Sequence, residues 1–429
     1  METGARLYQL VSELYPICRS ITGDGVRKTL AAIRARVPID VVEVPSGTPV
    51  LDWTIPKEWN ISDAWIKDSS GRRIVDFARS NLHVVSYSTP IKRRVGAQEL
   101  RQHLHSLPEH PDWIPYRTSY YNETWGFCVP HRLLASLTEP DYDVCIDSSL
   151  TDGSLSYGEL VIPGASTQEV LISCHVCHPS LCDDNLSGIS VAVGLAQELA
   201  SRAARRYSYR FLFIPGTIGS IAWLARNRER ATKIKHGLVL TCVGDAAGFT
   251  YKKSRRGDAQ IDRVVAHVLK HSGAQHTIED FVPYGYDERQ YCSPGFDLPV
   301  GCLMRAKHGT FPEYHTSADN LDFVSAENLA QSLGHCIDIV DVLERNVRCR
   351  NTNPYGEPQL GRRGLYATIG GDSDAARRQL AMLWVLNFSD GKHSLLDIAE
   401  RANVPFGDIA SIAQLLEQHA LLVVERDDG

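Results

Sequence analysis

The sequence predicts an α/β protein: a mostly parallel sheet flanked by helices, with an inserted β-rich domain and a C-terminal winged-helix domain. Three observations carry this prediction. Apolar strand-like runs alternate with helical patterns from Glu159 to Arg345. A stretch rich in Trp, Tyr, Ser and Pro interrupts the chain before them. The C-terminal stretch 376–424 reads as helix, turn, helix, a third helix and a short strand. The expected organisation is residues 1–51 and 159–350 for the α/β domain, 52–158 for the inserted domain, and 351–429 for a linker and the winged helix.

Taken in order, "METGARLYQLVSELYPICRSITGDGVRKTL" reads as an amphipathic helix followed by a glycine-rich break, and belongs with the α/β domain. The pieces "NLHVVSYS", "WGFCVP" and "YDVCIDSSL" are short strands of the inserted domain. Then "EVLISCH" (169–175) is a strand and "SGISVAVGLAQELASRA" (187–203) a helix with apolar residues at helical spacing. The alternation continues through "YRFLFIPG" (209–216), "SIAWLARNRER" (220–230), "HGLVLTCVGD" (236–245), "DAQIDRVVAHVLKHSG" (258–273), "DLPVGCLMR" (297–305) and "SAENLAQSLGHCIDIVDVLER" (325–345). Strands and helices in this order argue a parallel sheet covered by helices. The stretch 346–375, rich in Gly, Asn and Arg, reads as a linker. Ser394 is placed to cap the helix "LLDIAERA", and "NVPFGD" turns into the helix that carries Ile409, Ile412, Leu415 and Leu416.

Composition narrows the function classes. A formal net charge of -6 leaves no basic surface for nucleic acid as the main partner. The third helix of the winged unit carries Asp408, Gln414, Glu417 and Gln418, where phosphate contacts would need cations. A protein-protein role for that unit, as in a homo-oligomer, is preferred. There is no apolar run of membrane-spanning length and no signal-peptide pattern, so no membrane partner and a cytoplasmic location are expected. Eleven scattered cysteines do not make a secreted disulfide framework. Cys174-x-x-Cys177 has no second pair downstream, which weighs against a closed thiolate zinc site.

Metal-ligand side chains are dense in "LISCHVCHPSLCDDNLSG", from Leu171 to Gly188. In open α/β sheets, ligands bind beyond the carboxyl ends of the strands. His175 ends one strand, Asp245 ends another, Asp184 lies in the loop that opens a helix, and His315 follows a third strand in "EYHTSADN". Two imidazoles with one or two carboxylates bind Zn²⁺ and leave a position open. Asp319, after His315, is placed to orient that imidazole from behind. Each residue alone also has an ordinary role: His175 in the core, Asp184 as a helix cap, Asp245 in a turn, His315 in a surface loop. Their shared rim is what makes the joint reading stronger.

The pattern His175, "DDNLSG", Asp245 and "YHTSADN" resembles the zinc aminopeptidase clan of bacterial leucyl aminopeptidase and glutamate carboxypeptidase. More closely, "LYPICRSITGDGVR", "DWTIPKEWNISDAWIKDSSG", "YRTSYYNETWGFC" and "CHPSLCDDNLSG" are similar to bacterial aminopeptidase-like domain proteins with an inserted β-rich domain and a C-terminal winged helix. The resemblance implies a zinc-aminopeptidase-like fold with metal ligands at His175, Asp184, Asp245 and His315. Two departures stand out. The clan has His-x-Asp where this chain has Cys177 as the third residue. It also has a Glu-Glu pair, a general base and a metal ligand, where this chain has Gly216 and Thr217. One zinc ion is therefore expected.

The missing base directs attention to "YGYDERQYCSPG". Glu288 is the first candidate, as general base or as anchor of a substrate amino group, and Glu313 the second. A solvated loop is the ordinary alternative for Asp287, Glu288 and Arg289, of which Asp287 and Arg289 are substrate-binding candidates. His178 is a possible replacement ligand, although Pro179 keeps it off a helical face shared with His175. Of the inserted aromatics, Trp113, Tyr116, Tyr120, Tyr121 and Trp125, most are expected to form a small local core and some to line a lid. The leading expectation is a zinc-dependent hydrolase of peptide or amide bonds acting on small molecules or short peptides. The alternatives are a catalytically lapsed scaffold with a binding or regulatory role, and a single-zinc acyl-transfer enzyme.

Overall fold

The computed structural model describes residues 2–365 and 373–425. The chain divides into two compact units: residues up to Gly257 together with Thr277–Leu333, and Asp258–His276 together with Gly334–Gly429.

The first unit is built on an eight-stranded sheet. Its spatial order is Asp40–Pro45, Ser154–Ile162, Ser208–Ile214, Glu169–His175, Ile234–Leu240, Val300–Met304, Phe249–Lys252 and His276–Glu279. The four central strands, from Ser208–Ile214 to Val300–Met304, are mutually parallel. Glu169–His175, Ser208–Ile214 and Val300–Met304 are buried at every residue, which explains their near-continuous apolar runs. His175 pairs in register with Ile214, so the loop through Gly216 and Thr217 leaves the sheet level with His175. The N-terminal helix Glu2–Leu14 buries Leu7, Leu10, Val11 and Leu14 along one stripe, as its apolar spacing requires.

The same unit holds a four-stranded antiparallel sheet in the order Arg73–Asp76, Glu58–Lys67, Asp141–Thr151 and Ile91–Gly96. Trp59 is anchored there, its indole donating to the Ser88 carbonyl at 2.8 Å.

One expected strand end moves. The strand read as 236–245 stops at Leu240. Cys242 then adopts φ 49, a left-handed conformation that an extended ladder cannot contain. Its carbonyl receives the Arg305 amide at 2.7 Å, so the turn is closed by a hydrogen bond and not by the sheet.

The second unit contains the helices Ser373–Phe388, Leu395–Ala402 and Phe406–Gln418 with a three-stranded sheet of Asp390–Ser394, Arg348–Asn351 and Leu422–Glu425. Ser394 caps the middle helix, accepting from the Asp397 amide at 3.2 Å. Asn403 ends that helix at φ 53, a left-handed position that asparagine tolerates. Arg263 is paired with Asp397 at 2.5 Å and with Glu400. No helix of the described residues is long and apolar enough to cross a membrane.

Candidate metal site and substrate cavity

Three segments carry the site. His175 is the last residue of its strand. Asp184 lies in Cys182–Ser187, where Asp184 and Asn185 depart from helical backbone before the helix Gly188–Ser201 begins. Asp319 grips this turn, accepting the amides of Asp183 at 2.6 Å and Asp184 at 3.0 Å. The third segment presents His315 at φ 56. A histidine in this left-handed region needs external support. The inserted segment supplies it: the Tyr116 amide donates to the His315 carbonyl at 2.8 Å, and Ser317 exchanges hydrogen bonds with Ile114 at 2.8 and 3.0 Å.

The imidazoles converge on Asp184. His175 Nε2 lies 2.7 Å from Asp184 Oδ1, and His315 Nε2 lies 2.9 Å from Asp184 Oδ2. His178 Nε2 is 3.8 Å from the same Oδ2. Ligand atoms of His175, His178 and Asp184 all lie within 4.8 Å of one another, a group that could hold a metal ion. Burial drives His178 well toward its neutral form, the form that ligates metal. Burial would raise the Asp184 carboxyl, but the charge and hydrogen bonds of the surrounding histidines hold it well below the usual carboxylate range.

Two tyrosines stack on two of these rings. Tyr286 lies on His175, with ring centres 4.4 Å apart, and Tyr314 lies on His315 at 4.0 Å. Their hydroxyls meet at 2.8 Å, so one hydrogen bond ties the two stacks together. Tyr116 packs its ring against His315 and His178 from the other segment. Burial raises all three phenols, with Asp184 adding to the shift, so they stay protonated. Arg19, 1% exposed, donates from Nε to the His178 carbonyl at 2.8 Å and fixes that loop. Tyr286, Tyr314 and Arg19 carry no role of their own among the sequence expectations. The only available signal was adjacency, since each tyrosine directly precedes a site candidate.

The other candidates separate. Asp245 stands apart from the histidine group. Its oxygens accept the amides of Ala247 at 2.6 Å and Ala306 at 3.0 Å. It faces Asp183, whose carboxyl is pushed well up by burial and then by the charges of Asp245 and Asp319. Glu288 is fully buried in an ion pair with Lys252 Nζ at 2.5 Å, and Lys252 also donates to the Tyr284 carbonyl at 2.7 Å. A carboxylate so occupied is neither a free base nor an anchor for an amino group. Glu313 is half-buried, and its backbone carbonyl accepts from Thr316. Asp319 supports Asp184 through backbone amides, not the His315 ring. His178, expected at most as a substitute, joins the central group.

Asp287 occupies an informative place. Ser220 donates to its Oδ1 at 2.7 Å, while Oδ2 is buried without a hydrogen bond. A Cβ built on Gly216 would lie 3.2 Å from His175 Cβ and 3.5 and 3.7 Å from the two Asp287 oxygens. The Asp287 carboxylate thus fills the side of Gly216 that a larger residue would take. Burial pushes it up to about 6, partly offset by His175.

A cavity of about 390 Å³ opens beside His178 and His315, walled by Gly216, Thr217, Tyr116 and Arg289. Tyr120 and Tyr121 also line it, whereas Trp113 stacks on His110 and Trp125 on His103. A wider cleft of about 560 Å³ shares Tyr116, Thr118 and His315.

Comparison with known proteins agrees with this architecture. A family model described as "Domain of unknown function (DUF4910)" matches residues 8–346, and one described as "winged helix-turn-helix" matches 347–424. A Clostridium acetobutylicum protein named "Putative polysaccharide biosynthesis protein with aminopeptidase-like domain" is 51% identical over 98% of this chain and 96% of its own. A crystal structure of a "putative peptidase" from the same species is 48% identical, covers 99% of this chain and 97% of its own, and superposes with a TM-score of 0.94. The zinc aminopeptidase of Bacillus subtilis shares the fold at 14% identity, with a TM-score of 0.56 over 79% of this chain and 94% of its own.

Proposed function

For this chain, which belongs to the DUF4910 family, we propose the role of a zinc-dependent, aminopeptidase-like hydrolase of peptide or amide bonds in small or short-peptide substrates, holding one zinc ion. The observation that carries this reading is the convergence of His175, His178 and His315 on the buried Asp184 beside a cavity. Imidazole nitrogens and a carboxylate oxygen are the donor set that zinc takes. A single ion is favoured because Gly216 and Thr217 bring no carboxylate and both Asp245 oxygens are held by amides.

Zinc bound there would polarise a scissile carbonyl and lower the pKa of a water. The chain's own residues do the rest. Tyr286 and Tyr314 fix the His175 and His315 rings by stacking. Asp319 and Arg19 fix the segments that carry Asp184 and His178. Asp287 takes the proton of the attacking water through Oδ2, in place of the carboxylate that Gly216 lacks. Its free oxygen and its position beside His175 support that role.

A second reading has its own observation. Trp53 and Tyr121 form an exposed aromatic pair, ring centres 5.6 Å apart, and both line the cavity. Flat exposed rings of this kind suit the apolar face of a sugar, and the Clostridium relative is named for polysaccharide biosynthesis. The amide substrate would then be an acylated sugar precursor, with acyl transfer as the alternative to hydrolysis.

Elemental analysis of the purified full chain, then a panel of aminoacyl amides, N-acyl amino acids and N-acylated amino sugars, tests both readings. One equivalent of zinc and a turnover lost on chelation and restored by zinc are expected. His315→Ala should abolish tight zinc retention. Two equivalents would exclude the single-ion site, and a zinc-loaded protein inert towards the whole panel would exclude the hydrolase.

A further inference from the structure

The cavity beside the histidines has an uneven charge. Among the described residues, Arg289 is its one Lys, Arg, Asp or Glu side chain, and the remaining wall is aromatic, aliphatic, histidine, cysteine and small polar groups. Arg289 Nε is buried without a hydrogen-bond partner. The helix Glu288–Tyr291 that carries it is fixed from behind, because Glu288 is locked to Lys252 and Asp287 to Ser220. A guanidinium presented this way is a preformed fork for a carboxylate. An aminopeptidase-type anchor for a substrate ammonium would need a carboxylate on the wall; none lines it, and the fully buried Asp287 lies behind Gly216 and His175.

We propose that this cavity binds a small molecule through a carboxylate held by Arg289, so that the amide presented to the histidine cluster belongs to an acylated, carboxylate-bearing amine and not to a free N-terminus. The inference rests on the hydrolase reading for its chemistry but not for its binding. The aromatic wall takes the body of the ligand, Arg289 its anionic end, and the amide between them lies toward His178 and His315. The ligand is anchored on the amine side of the bond, opposite to what an aminopeptidase needs.

The test is equilibrium binding to the metal-free full-length chain, with N-acetylphenylalanine, its carboxamide, and phenylalaninamide with its free ammonium. The acid is expected to bind at least tenfold more tightly than either other probe, and less tightly as salt rises. Arg289→Gln should weaken the acid to the level of the carboxamide and leave the carboxamide unchanged. Arg289→Lys should keep part of the preference, since the charge remains and the fork does not. Equal binding of acid and carboxamide by the unaltered chain, a preference for the ammonium probe, or no binding of the acid would overturn the proposal. So would an Arg289→Gln variant that loses acid and carboxamide alike. Because no metal or turnover is involved, a protein inert in hydrolysis that still separates acid from carboxamide would refute the hydrolase and keep the anchor.

Discussion

Asp287 and Glu288 are neighbours in sequence in opposite environments: Asp287 Oδ2 is buried without a hydrogen bond near Gly216, whereas Glu288 is paired with Lys252. The stretch "YGYDERQ" does not show which of its two carboxylates lies beside His175 and which is paired with a lysine. Lys252, which neutralises Glu288, lies on a strand that no motif connects to it. Asp287→Asn should lower kcat by about 10²–10⁴-fold while zinc content is retained, as for loss of a general base. Activity of the unaltered chain should fall on acidification as Asp287 gains its proton; burial raises that carboxyl to about 6 in the metal-free chain, and a bound cation beside it would draw the midpoint lower. The same substitution should stabilise the metal-free fold. Asp287 is raised from 3.8 to about 6, so its contribution favours folding below pH 4 and is lost as pH rises through 6. Removing the charge should therefore gain about 2–3 kcal/mol above pH 7 and little below pH 4, measured by denaturant unfolding at both pH values. Glu288→Gln should do the reverse. It strands the Lys252 charge in the interior, and about 3–5 kcal/mol of stability should be lost. An unchanged unfolding midpoint in that variant would show the buried pair to be of no structural weight.

Segments, more than single residues, decide which sequence expectations hold. The strand 169–175 is read to the residue because its apolar run ends in His175 and a proline follows shortly. The run 236–245 looks equally continuous, yet the ladder stops at Leu240. The left-handed Cys242 has no sequence signature, and Asp245 beyond it holds the amides of Ala247 and Ala306 with its two oxygens. His178 shows the converse. Pro179 argues against helical continuation, correctly, but an extended loop pinned by Arg19 returns the ring to the cluster all the same. His178→Ala should loosen zinc at least tenfold if this ring is a ligand, read by chelator competition; unaltered affinity would confine it to the surroundings. In the winged helix, Ser394→Ala removes a side-chain cap and should cost about 1 kcal/mol.

At the scale of the chain, the two family matches divide the sequence close to the linker expected from composition. The helix Phe406–Gln418 of the winged unit contains no Lys or Arg and carries Asp408 and Glu417, a composition ill suited to phosphate contacts. Random duplex DNA should therefore show no salt-sensitive submicromolar binding, and a shift of that kind would overturn the expectation. What the sequence could not reveal is how remote its working parts are from one another. The hydrogen bond between Ile114 and Ser317 joins residues 203 positions apart, and it braces the His315 segment that the third imidazole depends on. Time of synthesis therefore enters the chemistry. A chain still on the ribosome can complete the strand that ends in His175 and can form the turn of Asp184, but it has no third histidine and no brace until residue 317 has emerged. Domains generally fold as units in the order they are made, and this unit cannot close early. Nascent chains arrested before that point should hold zinc no more tightly than a loose histidine-carboxylate pair, while chains arrested well beyond it should retain the metal against a chelator.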